Sequence, residues 1–143
     1  MSSPIIAVSQ TDLQRLESVL DSHFVQAIGN DRPHLKELKN KLERASVIDC
    51  REMQPDIVTM NSTFNLFDID RNESDTFTLV YPDEACIAEG KLSILSPLGA
   101  EVFGLRVGAT LTLHVLNHKT RKRVEKISFQ PERAWFRNRV MAE

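Results

Sequence analysis

Residues 90–115 read GKLSILSPLGAEVFGLRVGATLTLHV, and how that stretch folds decides the architecture of the chain. It opens and closes in short Leu, Ile, Thr and Val runs of strand character. Between them lie Pro97 and, with Gly90 at the head, four of the chain's five glycines: Gly90, Gly99, Gly104 and Gly108. Ser96 can cap a short helix, Pro97 suits its first position, and Leu98, Val102 and Phe103 can face a sheet. Gly104 ends that helix and Gly108 permits the turn into the next strand. The segment therefore reads as a strand–helix–strand joint. Its middle offers Glu101 as the one acid, so it is either a joint without chemistry of its own or a surface that a partner reads.

Downstream of Ser46 the rest of the sequence agrees with a sheet. VIDC, IVTMNSTFNLFDI, TFTLVY, KLSIL, TLTLHVL and VEKISF are short, rich in β-branched and aromatic residues, and separated by turn formers. A mainly antiparallel sheet follows, with DIDRNESD (68–75) and NHKTRKR (117–123) read as polar hairpin loops. Upstream the period is helical. Leu13, Leu16, Leu20, Phe24 and Ala27 recur at steps of three and four after Ser9, whose spacing to Asp12 resembles a capping box. Gly29 stops that helix; Asn30 or Asp31 caps a second one, which carries Pro33 in its first turn and Leu35, Leu38, Leu42 and Ala45 along one seam.

Two helices joined so closely run antiparallel. Residues 10–28 hold Arg15 against Asp12, Glu17 and Asp21, while residues 31–46 carry an excess of Lys and Arg, so the two arms bear opposite charge. The hairpin either packs along the sheet part or projects as a short coiled coil. The expected fold is α+β: a helical hairpin over 9–46, a sheet domain over 47–130 and a tail over 131–143.

Totals narrow the function. The 143 residues suffice for one core, and a net charge of -2 gives no global reason to bind nucleic acid or anionic membrane. Cys50 and Cys86 have no metal-ligand spacing, which suits a reducing cytosol. No window approaches the length of a membrane helix, and MSSPIIAVSQTD lacks the basic start of a signal peptide. The expectation is a cytoplasmic protein with no membrane partner.

Asp68, Asp70, Glu73 and Asp75 crowd one loop, but an EF-hand needs a central glycine that the loop lacks. His23, His34, His114 and His118 are scattered, and a surface or packing role is the simpler reading. No nucleophile elbow, phosphate loop or dinucleotide motif occurs. Arg121, Lys122 and Arg123 form a basic loop that could meet phosphate, though without aromatics to stack on bases. Trp135 and Phe136 are a hot spot or part of a tail folded on the core.

Three pieces together carry a resemblance: ERASVID (43–49), YPDEACIAEGKLSILSPLG (81–99) and GLRVGATLTL (104–113). They resemble the Rnk family, regulators of nucleoside diphosphate kinase, and more distantly the Gre transcript-cleavage factors. The resemblance covers roughly residues 35–129. It implies an FKBP-like sheet domain with one short helix behind the hairpin, and a partner: bacterial RNA polymerase, met at the largest-subunit coiled coil on the rim of the secondary channel. The implied docking residues are Ser96, Pro97, Leu98 and Gly99, with Asn30, Asp31 and Arg32 at the hairpin tip.

Gre factors carry acids on a long hairpin to help hold a catalytic metal, whereas this tip offers Asp31 alone on a shorter arm. Leu95 and Ala109 stand where some relatives carry polar residues. The resemblance therefore implies a monomeric, non-enzymatic regulator without metal or cofactor, which touches nucleic acid only indirectly. Residual transcript cleavage, peptidyl-prolyl isomerisation and a nucleic-acid module are the alternatives.

Overall fold

The chain enters through β1 (Ala7–Ser9), α1 (Gln10–Leu20), α2 (Pro33–Glu43) and β2 (Ser46–Ile48) in a computed structural model that describes residues 6–22, 33–49, 52–115 and 118–131. Ser9 starts α1 from extended backbone, its Oγ accepting the Asp12 N–H at 3.3 Å. The Asp12 carboxylate does not complete a capping box; it accepts the Tyr81 hydroxyl proton at 2.8 Å. Leu16 and Leu20 of α1 and Leu35, Leu38 and Leu42 of α2 are buried at helical spacing. β1 and β2 pair in parallel, Ala7 opposite Ser46, a small sheet that the sequence did not reveal.

The second sheet holds β3 (Thr63–Asp68), β4 (Glu73–Val80), β5 (Lys91–Ser93), β6 (Thr110–Val115) and β7 (His118–Phe129) in the order β5-β4-β3-β7-β6. β4 and β5 run parallel and the other pairs antiparallel. Alternation decides the buried face: along β3, Phe64, Leu66 and Asp68 are buried while Thr63, Asn65 and Phe67 are only half covered. Register shifts on either side of Phe64 and Asn65 mark bulges where β7 bends across β3. The predicted joint forms as read: α3 (Pro97–Val102) links β5 to β6 with Ser96 as N-cap, and Val102 and Phe103 are buried.

One core unites the helices and the sheet. Phe64, Leu66, Leu79, Ile94, Val102, Phe103 and Val124 share a buried cluster with Leu16, Leu20, Leu35, Leu38 and Leu42. Over their described residues, therefore, the helices pack along the sheet part rather than projecting. Their charges are used accordingly. Arg15 does not reach across to α2; its guanidinium lies 3.8 Å over the Tyr81 ring and 3.9 Å from Glu84.

Two loop expectations are corrected. The 68–75 loop shrinks to the four residues between Asp68 and Glu73, because the Asp68 carboxylate accepts the Asp70 and Arg71 N–H groups at 3.0 Å each and closes the turn itself. The basic loop is a strand: Arg121, Lys122 and Arg123 lie within β7, bonded to β3 on one side and β6 on the other. The tip residues Asn30, Asp31 and Arg32, the cysteine Cys50, and Trp135 and Phe136 lie outside the described residues.

Candidate partner-binding surface

The surface begins at the turn between β5 and α3. Ser93 Oγ accepts the Leu95 N–H at 3.1 Å, and Ser96 Oγ donates to the Ser93 carbonyl at 2.6 Å while accepting the Gly99 N–H at 3.0 Å. Four residues are thus locked together. Pro97 adds a preset φ at the first helical position, so the turn is constrained by its ring as well as by these bonds.

The four implied docking residues do different jobs. Pro97 is exposed, Ser96 and Leu98 are half-buried, and Gly99 is buried. A Cβ on Gly99 would stand 2.0 Å from the Ser93 carbonyl oxygen, so glycine is required there for close approach of two backbones. Gly104 is constrained in another way. Its φ is +84°, and an added Cβ would meet the Ile6 side chain at 2.5 Å.

Helix α2 braces the turn from behind. His34 Nε2 donates to the Leu95 carbonyl at 2.9 Å, and Lys41 Nζ donates to the Ala100 and Glu101 carbonyls at 3.1 and 3.2 Å. An ammonium at the last carbonyls of a helix is electrostatically favoured. Burial lowers the Lys41 pKa below the usual lysine value, while Glu101 and Glu37 pull it back up. Burial also raises the Glu101 carboxyl above its ordinary value; Lys41 opposes that rise and a hydrogen bond with Glu37 adds to it.

Before β5 the chain makes two short turns, Pro82–Glu84 and Ile87–Glu89, which leave Asp83, Glu84 and Ala85 exposed. Ile87 is 72% exposed, the most exposed of the large apolar side chains described. It was missed as a functional candidate because DEACIAEG shows neither alternation nor helical spacing around it. The one available signal was a lone β-branched residue amid acids and alanines.

The basic triplet is occupied within the molecule. Arg121 Nη2 donates to Asp70 Oδ1 at 2.9 Å, Lys122 Nζ lies 3.5 Å from Asp68 Oδ2, and the Arg123 guanidinium sits 5.2 Å over the Phe67 ring. The Arg121 side chain holds the Asp70 carboxyl below its usual range. Among the described residues, no helix is long and apolar enough to cross a membrane.

With this geometry in view, the comparisons agree over most of the chain. Residues 53–129 match the family model for the C-terminal part of the transcription elongation factors GreA and GreB, and residues 4–48 match that for the Rnk N-terminus. A solved structure from Nitrosomonas europaea, described as a prokaryotic transcription elongation factor GreA/GreB, is similar with a TM-score of 0.75 at 31% identity. The match covers 89% of this chain and all of that one. GreA from Thermodesulfovibrio yellowstonii is 36% identical over 96 residues, 67% of this chain and 61% of that protein.

An α+β fold of helices against a curled sheet, with a GreA/GreB-type C-terminal part, defines a Gre-related protein. More narrowly, the chain belongs to the Rnk family: it is 31% identical to the regulator of nucleoside diphosphate kinase of Escherichia coli over 94% of this chain and 96% of that relative.

Proposed function

We propose that this protein is a non-enzymatic regulator of transcription that binds RNA polymerase through its sheet part, with the turn at Ser96 and Pro97 as the docking edge. The GreA/GreB names of its relatives support the process. The observation that carries the site is an exposed Pro97 on a turn held by Ser93, Ser96 and α2. A rigid apolar tip loses little conformational entropy on binding, which favours its use as an anchor.

In this reading residues 47–130 form an FKBP-like docking domain that meets the largest-subunit coiled coil at the rim of the secondary channel. Residues 9–46 form an antiparallel hairpin whose tip, Asn30, Asp31 and Arg32, points toward the channel, and residues 131–143 are a tail. The factor acts by occupancy, hindering longer channel-binding factors. One acid at the tip is a poor clamp for a catalytic metal, so the reading excludes transcript cleavage. The nucleic-acid alternative is weaker, since Arg121, Lys122 and Arg123 already face Asp70, Asp68 and Phe67.

The test is capture of core RNA polymerase by the full chain. Pro97→Asp, a change at an exposed position outside the core, is expected to reduce capture at least tenfold while leaving the circular dichroism spectrum unchanged. Undiminished capture by the folded variant removes the docking assignment.

A further inference from the structure

Strand β6 lies at an edge of the five-stranded sheet. Its pairing with β7 determines where its backbone groups point. The Val124 N–H donates to the Ala109 carbonyl at 2.9 Å, and the register continues with Leu111 opposite Lys122 and Leu113 opposite Thr120. Hydrogen-bonded pairs alternate along an antiparallel ladder. Ala109, Leu111 and Leu113 thus bond to β7, and Thr110 and Thr112 turn their N–H and C=O groups away from it. Native edges are ordinarily guarded by Lys, Pro, a bulge or a covering element. The sequence of β6, TLTLHV, contains neither Lys nor Pro.

Beside that edge lies a cavity of about 460 Å³, walled by Ile6, Phe103, Leu105 and Leu111 and bordered by Thr110 and Thr112. Its charged lining is Lys41, Arg106 and Glu101, and Arg106 Nη1 is already paired with the Asp56 carboxylate at 3.1 Å, so the cation left facing the hollow is Lys41. Lys41 uses two of its three N–H groups on the Ala100 and Glu101 carbonyls, which leaves one. An apolar hollow, outward-turned backbone groups and one unused ammonium N–H occur together. A compact ligand would use the hollow and that N–H but leave the edge unpaired; an extended chain uses all three.

We propose that this groove takes an extended peptide segment of a partner protein, added to the sheet beside β6, with an apolar residue in the hollow and a carboxylate two positions away. Residues two apart on a strand share a face, so one segment can satisfy the apolar wall and the Lys41 N–H together. The inference rests on the edge and the hollow and does not depend on the polymerase reading.

The test uses the full chain and a terminally blocked heptapeptide with Val and Glu two positions apart on one face and Thr on the other. Calorimetry is expected to show binding, and hydrogen exchange to slow at least tenfold at the Thr110 and Thr112 amides. A companion peptide with Lys in place of Glu should bind at least fivefold more weakly. Thr112→Pro removes only an outward N–H, a change edge strands tolerate, and should weaken binding tenfold or more without unfolding the sheet. Lys41→Met should weaken it too. Equal binding by folded Thr112→Pro overturns the proposal, as does a peptide that slows neither amide. Protection of both amides in the free protein also overturns it: the edge is then covered by the chain's own segment if protection is independent of concentration, or by a second copy if it rises with concentration.

Discussion

At Gly99 a single hydrogen atom decides whether the joint can close. From the sequence this glycine has only the docking role that the resemblance implies, yet it sits in helical backbone inside α3, where alanine would ordinarily be preferred by about 1 kcal/mol. What excludes alanine is the Ser93 carbonyl, 2.0 Å from any Cβ built there. Backbone cannot swing aside as a long side chain can, so Gly99→Ala must push α3 away from β5. Overpacking of this kind costs about 1–3 kcal/mol and outweighs the helix-propensity gain. Urea unfolding should show the loss as a lower midpoint at unchanged slope; a variant as stable as the parent would mean that the Ser93–Gly99 approach is looser than described. Gly99 therefore shapes the proposed docking edge from beneath while Pro97 faces outward, a division that the SPLG motif alone could not disclose. Spacing indicates which residues are adjacent in the chain, whereas the requirement at Gly99 comes from a backbone six positions away.

Among the elements, β7 shows most plainly where sequence reading stopped. HKTRKR has no apolar alternation and looked like a loop, but a strand needs only backbone partners on both sides and side chains suited to each face. β3 and β6 supply the partners, Arg121 and Arg123 project toward the open face, and inward-facing Lys122 meets Asp68. That pair joins β7 to β3 with side-chain exposures of only 13% and 8%. The Asp68 carboxyl is held below its usual range chiefly by the Arg71 N–H, with Lys122 and the Asp70 N–H assisting and desolvation opposing. A carboxyl whose folded pKa is depressed contributes stability above its unfolded value of about 4, and that contribution is lost as pH falls through the lower folded value. Asp68→Asn keeps an oxygen for the turn amides but removes the titration. It should therefore be less stable than the parent at pH 7 and lose less stability below about pH 4. Asp68→Ala should be the least stable at neutral pH, because it also opens the turn. If the parent and Asp68→Asn show the same acid profile, the Asp68 carboxylate, with its turn amides and Lys122, does not contribute as argued. The helices, α3 and most of the strand segments were legible because apolar period and capping residues are local signals. The β1–β2 pairing and the first half of β7 were not, because three residues are too few for a period and charged residues enter strands only when tertiary partners await them.

For the whole molecule the question is whether helices and sheet behave as one cooperative body. Their apolar seams share a single cluster, and polar contacts tie them at separate places: Asp12 and Arg15 at Tyr81, His34 at Leu95, and Lys41 at the end of α3. Tyr81 is the joint most open to test, since its ring is buried in the core while its hydroxyl binds the first turn of α1. Removing that hydroxyl leaves packing intact and deletes a hydrogen bond to a carboxylate, a loss of roughly 1–2 kcal/mol once water reaches Asp12. Native-state hydrogen exchange can show how that loss is distributed. If helices and sheet open together, the slowest amides of Leu16 and Leu38 exchange at the same free energy as those of Phe64 and Leu66, within about 1 kcal/mol, and Tyr81→Phe lowers all four by similar amounts. If only α1 and α2 become faster, they form a separate unit that unfolds against a persisting sheet, and the shared core does not enforce cooperativity. The distinction bears on the proposed mechanism. A hairpin rigidly joined to its docking domain would present its tip at a set distance and angle from Pro97, whereas one that opens independently would not. Regulation by occupancy therefore requires the first outcome, and loss of only the helical protection in Tyr81→Phe would count against it even if polymerase capture were unchanged.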